Sequence, residues 1–335
     1  MKSILKNIVT LALVLTLAVS SLVACGSAKN SHLQSSSNDD AKYEIVCTIF
    51  PIYDWVKNIV GDNDNVNVTL LLDQGTDLHS FQPTTADIAL ISSADMFIYV
   101  GGESDEWAED AASEAKNKSQ ISVNLMEVLD DVIVEEEVKE GMQAEEEEEA
   151  ESGEEEEVEY DEHVWLSLKN AITIVSELTT KISEMDEDNI ATYAENGAEY
   201  QAKLASLDAA YQAVVDSASQ KTLLFGDRFP FRYMVDDYNL DYYAAFVGCS
   251  AETEASFETI AFLAEKVKEL GLSTVLTIEN SDGKIANTVI EQSGTSATTA
   301  VLNSMQSVTA DDVKSGVTYY SIMQDNLEVL KNALN

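Results

Sequence analysis

Three histidines stand in the 335 residues: His32, His79 and His163. Two of them sit in compact polar settings. His79 lies in Gly75-Thr76-Asp77-Leu78-His79-Ser80-Phe81-Gln82-Pro83, and His163 in Asp161-Glu162-His163-Val164-Trp165-Leu166-Ser167. A neutral imidazole offers a nitrogen lone pair to a borderline transition metal. Two such rings with a few carboxylates make a metal site, and their acidic and polar flanks favour that role over core packing. His32 stands in a Ser- and Asn-rich stretch and reads as a tether residue.

Something must carry these side chains to one place. Residues 43–49 alternate and are rich in β-branched types, which predicts a strand, followed by a helix over 51–60 and a strand over 66–72. The alternation continues with a helix over 84–92, a strand over 95–100 closed by Gly101-Gly102, a helix over 107–116 and a strand over 121–124. Residues 167–185 carry Ile172, Val175, Leu178 and Ile182 at helical spacing. A second apolar pattern runs through 187–218 without a proline, with Gly197 as its weak point. That is a helix of roughly 30 residues, about 45 Å long, enough to connect two lobes.

The second half repeats the pattern. Strands are expected over 222–226, 241–246, 273–278 and 299–302, and helices over 253–270, 284–291 and 321–334. In the first of these helices Phe257, Ile260, Ala261, Leu263 and Val267 are the expected core positions, and Gly271 stops it. Alternating strands and helices predict an α/β chain: two lobes of mainly parallel sheet flanked by helices, one long connecting helix, and a cleft between. Ligands of open α/β sheets bind beyond the carboxyl ends of strands. His79, Asp227 and Glu279 follow or end predicted strands, and His163 precedes a helix. All four are expected at the cleft, although Asp227 and Glu279 also suit plain surface or capping roles.

The amino-terminal end predicts an address. Lys2 and Lys6 precede an apolar stretch over 8–22 and then Leu22-Val23-Ala24-Cys25-Gly26. A basic start, a short apolar core and small residues at the cut make a signal peptide. Here the cut falls on a cysteine, as in a bacterial lipobox, with Cys25 as the lipidated first residue. The expected division is a signal over 1–24, a flexible tether over 25–42, a first lobe over 43–166, connecting helices over 167–220 and a second lobe over 221–335. The protein would then sit outside the cytoplasm, anchored to the membrane by lipid.

The chain carries a net charge of −42. Residues 135–162 alone hold 17 acidic residues and one Lys, a balance of −16. Such a surface argues against nucleic acid and anionic lipid surfaces as partners and is compatible with cations. The segment 135–160 is expected to be a disordered acidic loop within the first lobe, either concentrating cations or serving as a solvated insert. Cys47 and Cys249 fall near strand ends. They read as a disulfide or as two buried thiols, with Cys47 a further possible ligand.

The chain resembles the zinc and manganese solute receptors of bacterial ABC importers (cluster A-I, solute-binding protein family 9). The resemblance covers nearly all of the mature chain. It rests on Thr48-Ile49-Phe50-Pro51-Ile52-Tyr53-Asp54-Trp55, on the two histidine segments above, and on residues 319–330. It implies two α/β lobes joined by a long helix, with a metal between them held by His79 and His163. A third ligand in this family is often a His at the start of the second lobe. This sequence has Phe225-Gly226-Asp227-Arg228-Phe229-Pro230-Phe231 there, so Asp227 is the candidate and Arg228 places a cation nearby. Glu279 suits the acidic fourth position.

The resemblance further implies binding rather than turnover, delivery to an ABC permease and its ATPase, and Zn²⁺ as the transported ligand, with Mn²⁺ (or iron) as the alternative. Trp55, Trp165 and Phe81 are expected at the site wall or in the core. Rival readings are a surface adhesin, a receptor for organic solutes and a metallohydrolase. The last lacks any His-Glu-x-x-His motif.

Overall fold

The computed structural model describes residues 32–35, 41–143, 159–250 and 254–335. The expected signal segment and Cys25 lie outside the described residues. No helix among the described residues is long and apolar enough to cross a membrane.

The first sheet holds β1 (Leu33–Gln34), β2 (Tyr43–Cys47), β3 (Val66–Leu70), β4 (Met96–Tyr99) and β5 (Ile121–Asn124), in the order β1-β3-β2-β4-β5. All its pairings are parallel except β1 with β3. Every residue of β3 and β4 is buried, as expected of strands covered on both faces. Around this sheet lie α1 (Phe50–Val60), α2 (Thr85–Ser93), α3 (Glu106–Ser113) and the single turn α4 (Leu125–Val128). Thr84 opens α2 through a capping box with Asp87.

β1 corrects the expected tether. Leu33 and Gln34 pair with Leu70 and Thr69, and the Leu33 N–H donates to the Asp73 carboxylate at 2.6 Å. Two residues are too few to show a strand period, so polar composition alone predicted free chain.

Two packed helices follow: α5 (Leu168–Met185), capped by Ser167, and α6 (Ile190–Ser217). The 28 residues of α6 span about 42 Å. Its buried stripe is Tyr193, Gly197, Tyr200, Leu204, Leu207, Tyr211 and Val215, at steps of three and four. Gly197 is a contact here and not a weak point. A Cβ there would lie 2.3 Å from the Thr179 hydroxyl of α5, so glycine lets the two helices close. Three tyrosines of the stripe end in hydrogen bonds, to Asp186, Asp54 and the Met323 carbonyl.

The second sheet is all parallel: β6 (Thr222–Phe229), β7 (Asp241–Val247), β8 (Thr274–Thr277) and β9 (Thr298–Val301), in the order β7-β6-β8-β9. Its helices are α7 (Arg232–Tyr238), α8 (Phe257–Leu270), α9 (Lys284–Ser293), α10 (Ala310–Lys314) and α11 (Tyr319–Ala333). Leu263 and Val267 of α8 are buried as expected. Phe257 is 71% exposed, because it stands in the first turn beside the Ser256 cap and faces solvent. β6 runs three residues past its expected end through a bulge. Phe225 pairs with Ala244 and Arg228 with Phe246, so β6 holds one extra residue. A bulge re-aims the side chains that follow it.

The first part of the acidic segment is not free chain. Glu136 N–H donates to the Glu159 carbonyl, and Gln143 N–H to the Ala245 carbonyl of β7. Lys139 pairs with Asp241, and Arg232 with Glu137. Gly141 packs so closely on the Phe262 ring that a Cβ would fall 2.0 Å from it. Residues 135–143 thus form an arm reaching from the first lobe to the second. Its charges have partners about 100 residues away, which local composition does not reveal. Residues 144–158 lie outside the described residues.

Candidate metal centre

His79 sits in a single 3₁₀ turn (Leu78–Ser80) beyond the end of β3. Asp77 caps this turn by accepting from the His79 N–H at 3.1 Å. His163 caps a second such turn (Val164–Leu166) just before α5. Its own N–H donates to Asp161 Oδ1 at 2.9 Å. Short turns locked by neighbouring carboxylates fix each ring's origin.

The two rings meet. Nε2 of His79 lies 3.1 Å from Nε2 of His163. Each ring's other nitrogen is tied back: His79 Nδ1 to the Ser104 hydroxyl at 2.6 Å, and His163 Nδ1 to Asp161 Oδ1 at 3.0 Å. Such outer bonds orient a ligand imidazole and raise its basicity. Two nitrogens on one tetrahedral zinc lie about 3.3 Å apart, given bonds of about 2.0–2.1 Å. The observed separation is close to that span.

The site is buried and negatively flanked. His163 is fully buried and His79 nearly so. Glu162 Oε2 lies 3.8 Å from His79 Nδ1, and its Oε1 accepts from the Ser104 N–H at 2.8 Å. Burial pushes His79 down to about 4, helped by the neighbouring His163. Burial also opposes charge on His163, but the Asp161 carboxylate outweighs it and raises this ring. Asp77 is held low, because His79 and Arg228 overcome the effect of its burial. Trp165 packs on the His163 ring at 5.2 Å, with its N–H on the Ser304 carbonyl. Of the three aromatics considered for the wall, Trp55 packs instead on Tyr319, and Phe81 on Trp107.

A third potential donor comes from the second lobe. The Cys249 sulfur, just past β7, forms with one atom from each of His79 and His163 a trio whose members all lie within 4.8 Å of one another. Burial, and then Glu136, Glu162 and Asp161, push this thiol well above its usual range. Before it stands Gly248, where a Cβ would come within 2.8 Å of the His163 ring. Glycine therefore admits the imidazole to the second lobe. Cys47 is buried in β2, and both cysteines are free.

The structure does not bring Asp227 and Glu279 into this trio. Asp227 accepts from the N–H groups of Arg228 and Ile278, at 2.9 and 3.3 Å. Glu279 accepts from Ser304 N–H, Ser304 Oγ and Gln306 N–H, at 2.7–2.9 Å. Both carboxylates thus serve backbone donors. They line a neighbouring cavity of about 550 Å³ between the lobes, with Asp77, Ser80 and Arg228. Across that cavity Arg228 Nη2 bonds Asp77 Oδ2 at 2.8 Å, while its Nη1 donates to the Ser250 carbonyl at 3.3 Å. Sequence reasoning places Cys249 near a strand end but reads it as a disulfide partner or buried thiol and not as a donor, although the strand-end rule that picked out Asp227 and Glu279 applies equally to β7.

Comparison with known proteins agrees with this architecture. The family model for zinc-uptake complex component A, periplasmic (ZnuA), matches residues 45–333. The chain belongs to this family. The high-affinity zinc uptake system protein ZnuA of Bacillus subtilis is 32% identical over 313 residues, covering 93% of each chain. The zinc-binding lipoprotein AdcA of Streptococcus pneumoniae is 32% identical over 310 residues, 92% of this chain. The chain spans only 58% of AdcA's length. The crystal structure of the Zn(II)-bound ZnuA-like domain of that AdcA is similar at a TM-score of 0.68, with 30% identity over 88% of this chain and 99% of that one. The ZnuA family is one of solute receptors for zinc transport, not of enzymes.

Proposed function

We propose that this protein is an extracytoplasmic receptor that binds Zn²⁺ between its lobes and delivers it to an ABC permease and its ATPase. The observation that carries this is the facing pair of imidazole nitrogens at 3.1 Å, each oriented by a bond at its other nitrogen. His79 and His163 coordinate the ion. Asp161 and Ser104 hold the rings, and the surrounding carboxylates stabilise the added charge. The names of the B. subtilis and S. pneumoniae relatives support zinc as the cargo. Imidazole donors also favour zinc over manganese, which suits oxygen-rich shells. Asp227 and Glu279 take a different role in this reading. They stiffen the second lobe's strand ends and make the cleft mouth acidic.

Lipidation of Cys25 would anchor the receptor at the membrane surface, and the AdcA name supports a lipoprotein. The acidic segment beyond Gln143 raises the local cation concentration around the receptor. Deleting residues 144–157 should then slow uptake at limiting zinc, and unchanged uptake would remove that role.

The main test is competitive titration of the purified full chain with Zn²⁺ and Mn²⁺ against a chromophoric chelator. One tight equivalent of zinc is expected, weakened by more than about 100-fold in His163→Ala. Preference for Mn²⁺ would move the cargo to manganese.

A further inference from the structure

We propose that Cys249 is the third metal donor, binding as a thiolate, so that the site is two imidazole nitrogens and one sulfur. This rests on the receptor reading above.

Three observations carry it. Among the described residues, His79, His163 and Cys249 form the one group of His, Cys, Asp and Glu whose donor atoms all approach within 4.8 Å. Zinc bonds of about 2.3 Å to sulfur and 2.0–2.1 Å to nitrogen put S and N about 3.6 Å apart, so a modest closure completes the shell.

The surroundings of Cys249 are also built toward the histidines. Its N–H donates to Glu136 Oε1 of the arm at 3.3 Å. A Cβ on Gly248 before it would fall 2.8 Å from the His163 ring, and the Ser250 carbonyl after it accepts from Arg228, which also holds Asp77. One flank of Cys249 thus lies against the His163 ring, and the other is linked to the His79 turn through Arg228.

Most competing carboxylates are engaged. Asp161 holds His163, Asp77 holds Arg228, and Asp227 and Glu279 serve N–H and hydroxyl donors of the second lobe. Glu162 gives Oε1 to the Ser104 N–H, and its Oε2 lies 3.8 Å from His79 Nδ1, the nitrogen opposite the one that faces His163. Arg228, re-aimed by the bulge in β6, has no lone pair to give a metal. The second lobe's donor therefore comes from the next strand, β7. On binding, the thiol proton leaves to solvent and the sulfur lone pair goes to the metal. A soft sulfur donor selects Zn²⁺ against Mn²⁺. It also joins the lobes through the cargo, since the histidines belong to the first lobe and the sulfur to the second.

The test uses Co²⁺ as a spectroscopic stand-in for zinc in the purified full chain. The expected spectrum has the visible bands of a four-coordinate ion and a thiolate-to-cobalt charge-transfer band in the near ultraviolet. Cys249→Ser should lose the charge-transfer band, and Cys47→Ser should keep it. Cys249→Ser should also bind zinc on the order of 10–100-fold more weakly, with a smaller change for Mn²⁺. One bound Co²⁺ without a charge-transfer band in the wild-type protein would overturn the sulfur ligand and leave the receptor reading standing. So would a band that persists in Cys249→Ser. Failure of the wild-type protein to bind Co²⁺ or Zn²⁺ would overturn both.

Discussion

His163 Nε2 faces His79 Nε2 at 3.1 Å, and behind it Asp161 Oδ1 holds both the His163 Nδ1 and the His163 backbone N–H. One carboxylate therefore fixes the ring's position and its tautomer. Asp161→Asn keeps the size but loses the charge that favours an Nδ1–H. Zinc affinity should fall by about 10–100-fold with little loss of thermal stability. Chelator competition alongside a melting curve separates the two effects.

Gly248 is the passage through which the His163 ring reaches the second lobe. In Gly248→Ala the new methyl would stand 2.8 Å from the His163 ring and 3.0 Å from the Phe229 carbonyl. The ring must shift, so zinc affinity should drop at least about tenfold, with a packing cost of about 1–3 kcal/mol. Isothermal titration at a temperature well below the variant's Tm would read the affinity alone. Wild-type affinity would show that the ring has room to spare.

Arg228 and Asp77 bridge the lobes at the cleft, and both side chains are largely shielded, at 20% and 17% exposure. Arg228→Gln removes the bridge and leaves Asp77 free to turn toward His79, 3.9 Å away. Zinc should then leave several-fold faster while its entry changes little. Stopped-flow release into excess chelator measures this, and an unchanged rate would mean that the pair does not hold the cleft closed.

Asp54 gives a pH signature remote from the metal. Its Oδ2 accepts from Tyr319 N–H, Tyr200 OH and Asn58 Nδ2, joining α1, α6 and α11. Burial nevertheless raises it to about 6, against 3.8 ordinarily. Below about pH 4 the group is protonated folded and unfolded, and contributes nothing to the pH dependence. As pH rises from about 4 to 6 the unfolded chain ionises first, so stability is lost, reaching a penalty of ~3 kcal/mol above pH 6. Asp54→Asn keeps an oxygen for the three donors and cannot ionise. Its stability relative to the wild type should rise through that window in urea unfolding, and a constant difference would refute the buried charge.

The sheets were legible because parallel strands buried on both faces are continuous apolar runs, as in Met96–Tyr99, separated by helical periods. His79 and His163 stand out in the sequence through their acidic neighbours; Asp161 does orient the His163 ring, whereas the His79 ring is held by Ser104, 25 residues away, and Asp77 only caps its turn. Cys249 carries no such mark: Gly248 and Ser250 beside it are neutral, and its approach to His163 depends on a glycine contact between lobes. The bulge at Gly226 and Asp227 was equally invisible, since one inserted residue leaves the apolar pattern of β6 intact. Glu136 and Glu137 looked like part of a solvated run because their partners, Cys249 N–H, Tyr242 and Arg232, lie far along the chain.

In the proposed function one zinc ion sits between His79 and His163. Anomalous diffraction across the zinc absorption edge, on crystals of the zinc-loaded protein, would locate it. A single peak within about 2.0–2.1 Å of both Nε2 atoms is predicted. A peak seated instead on Asp227 and Glu279, with the two imidazoles still bonded to each other, would contradict it.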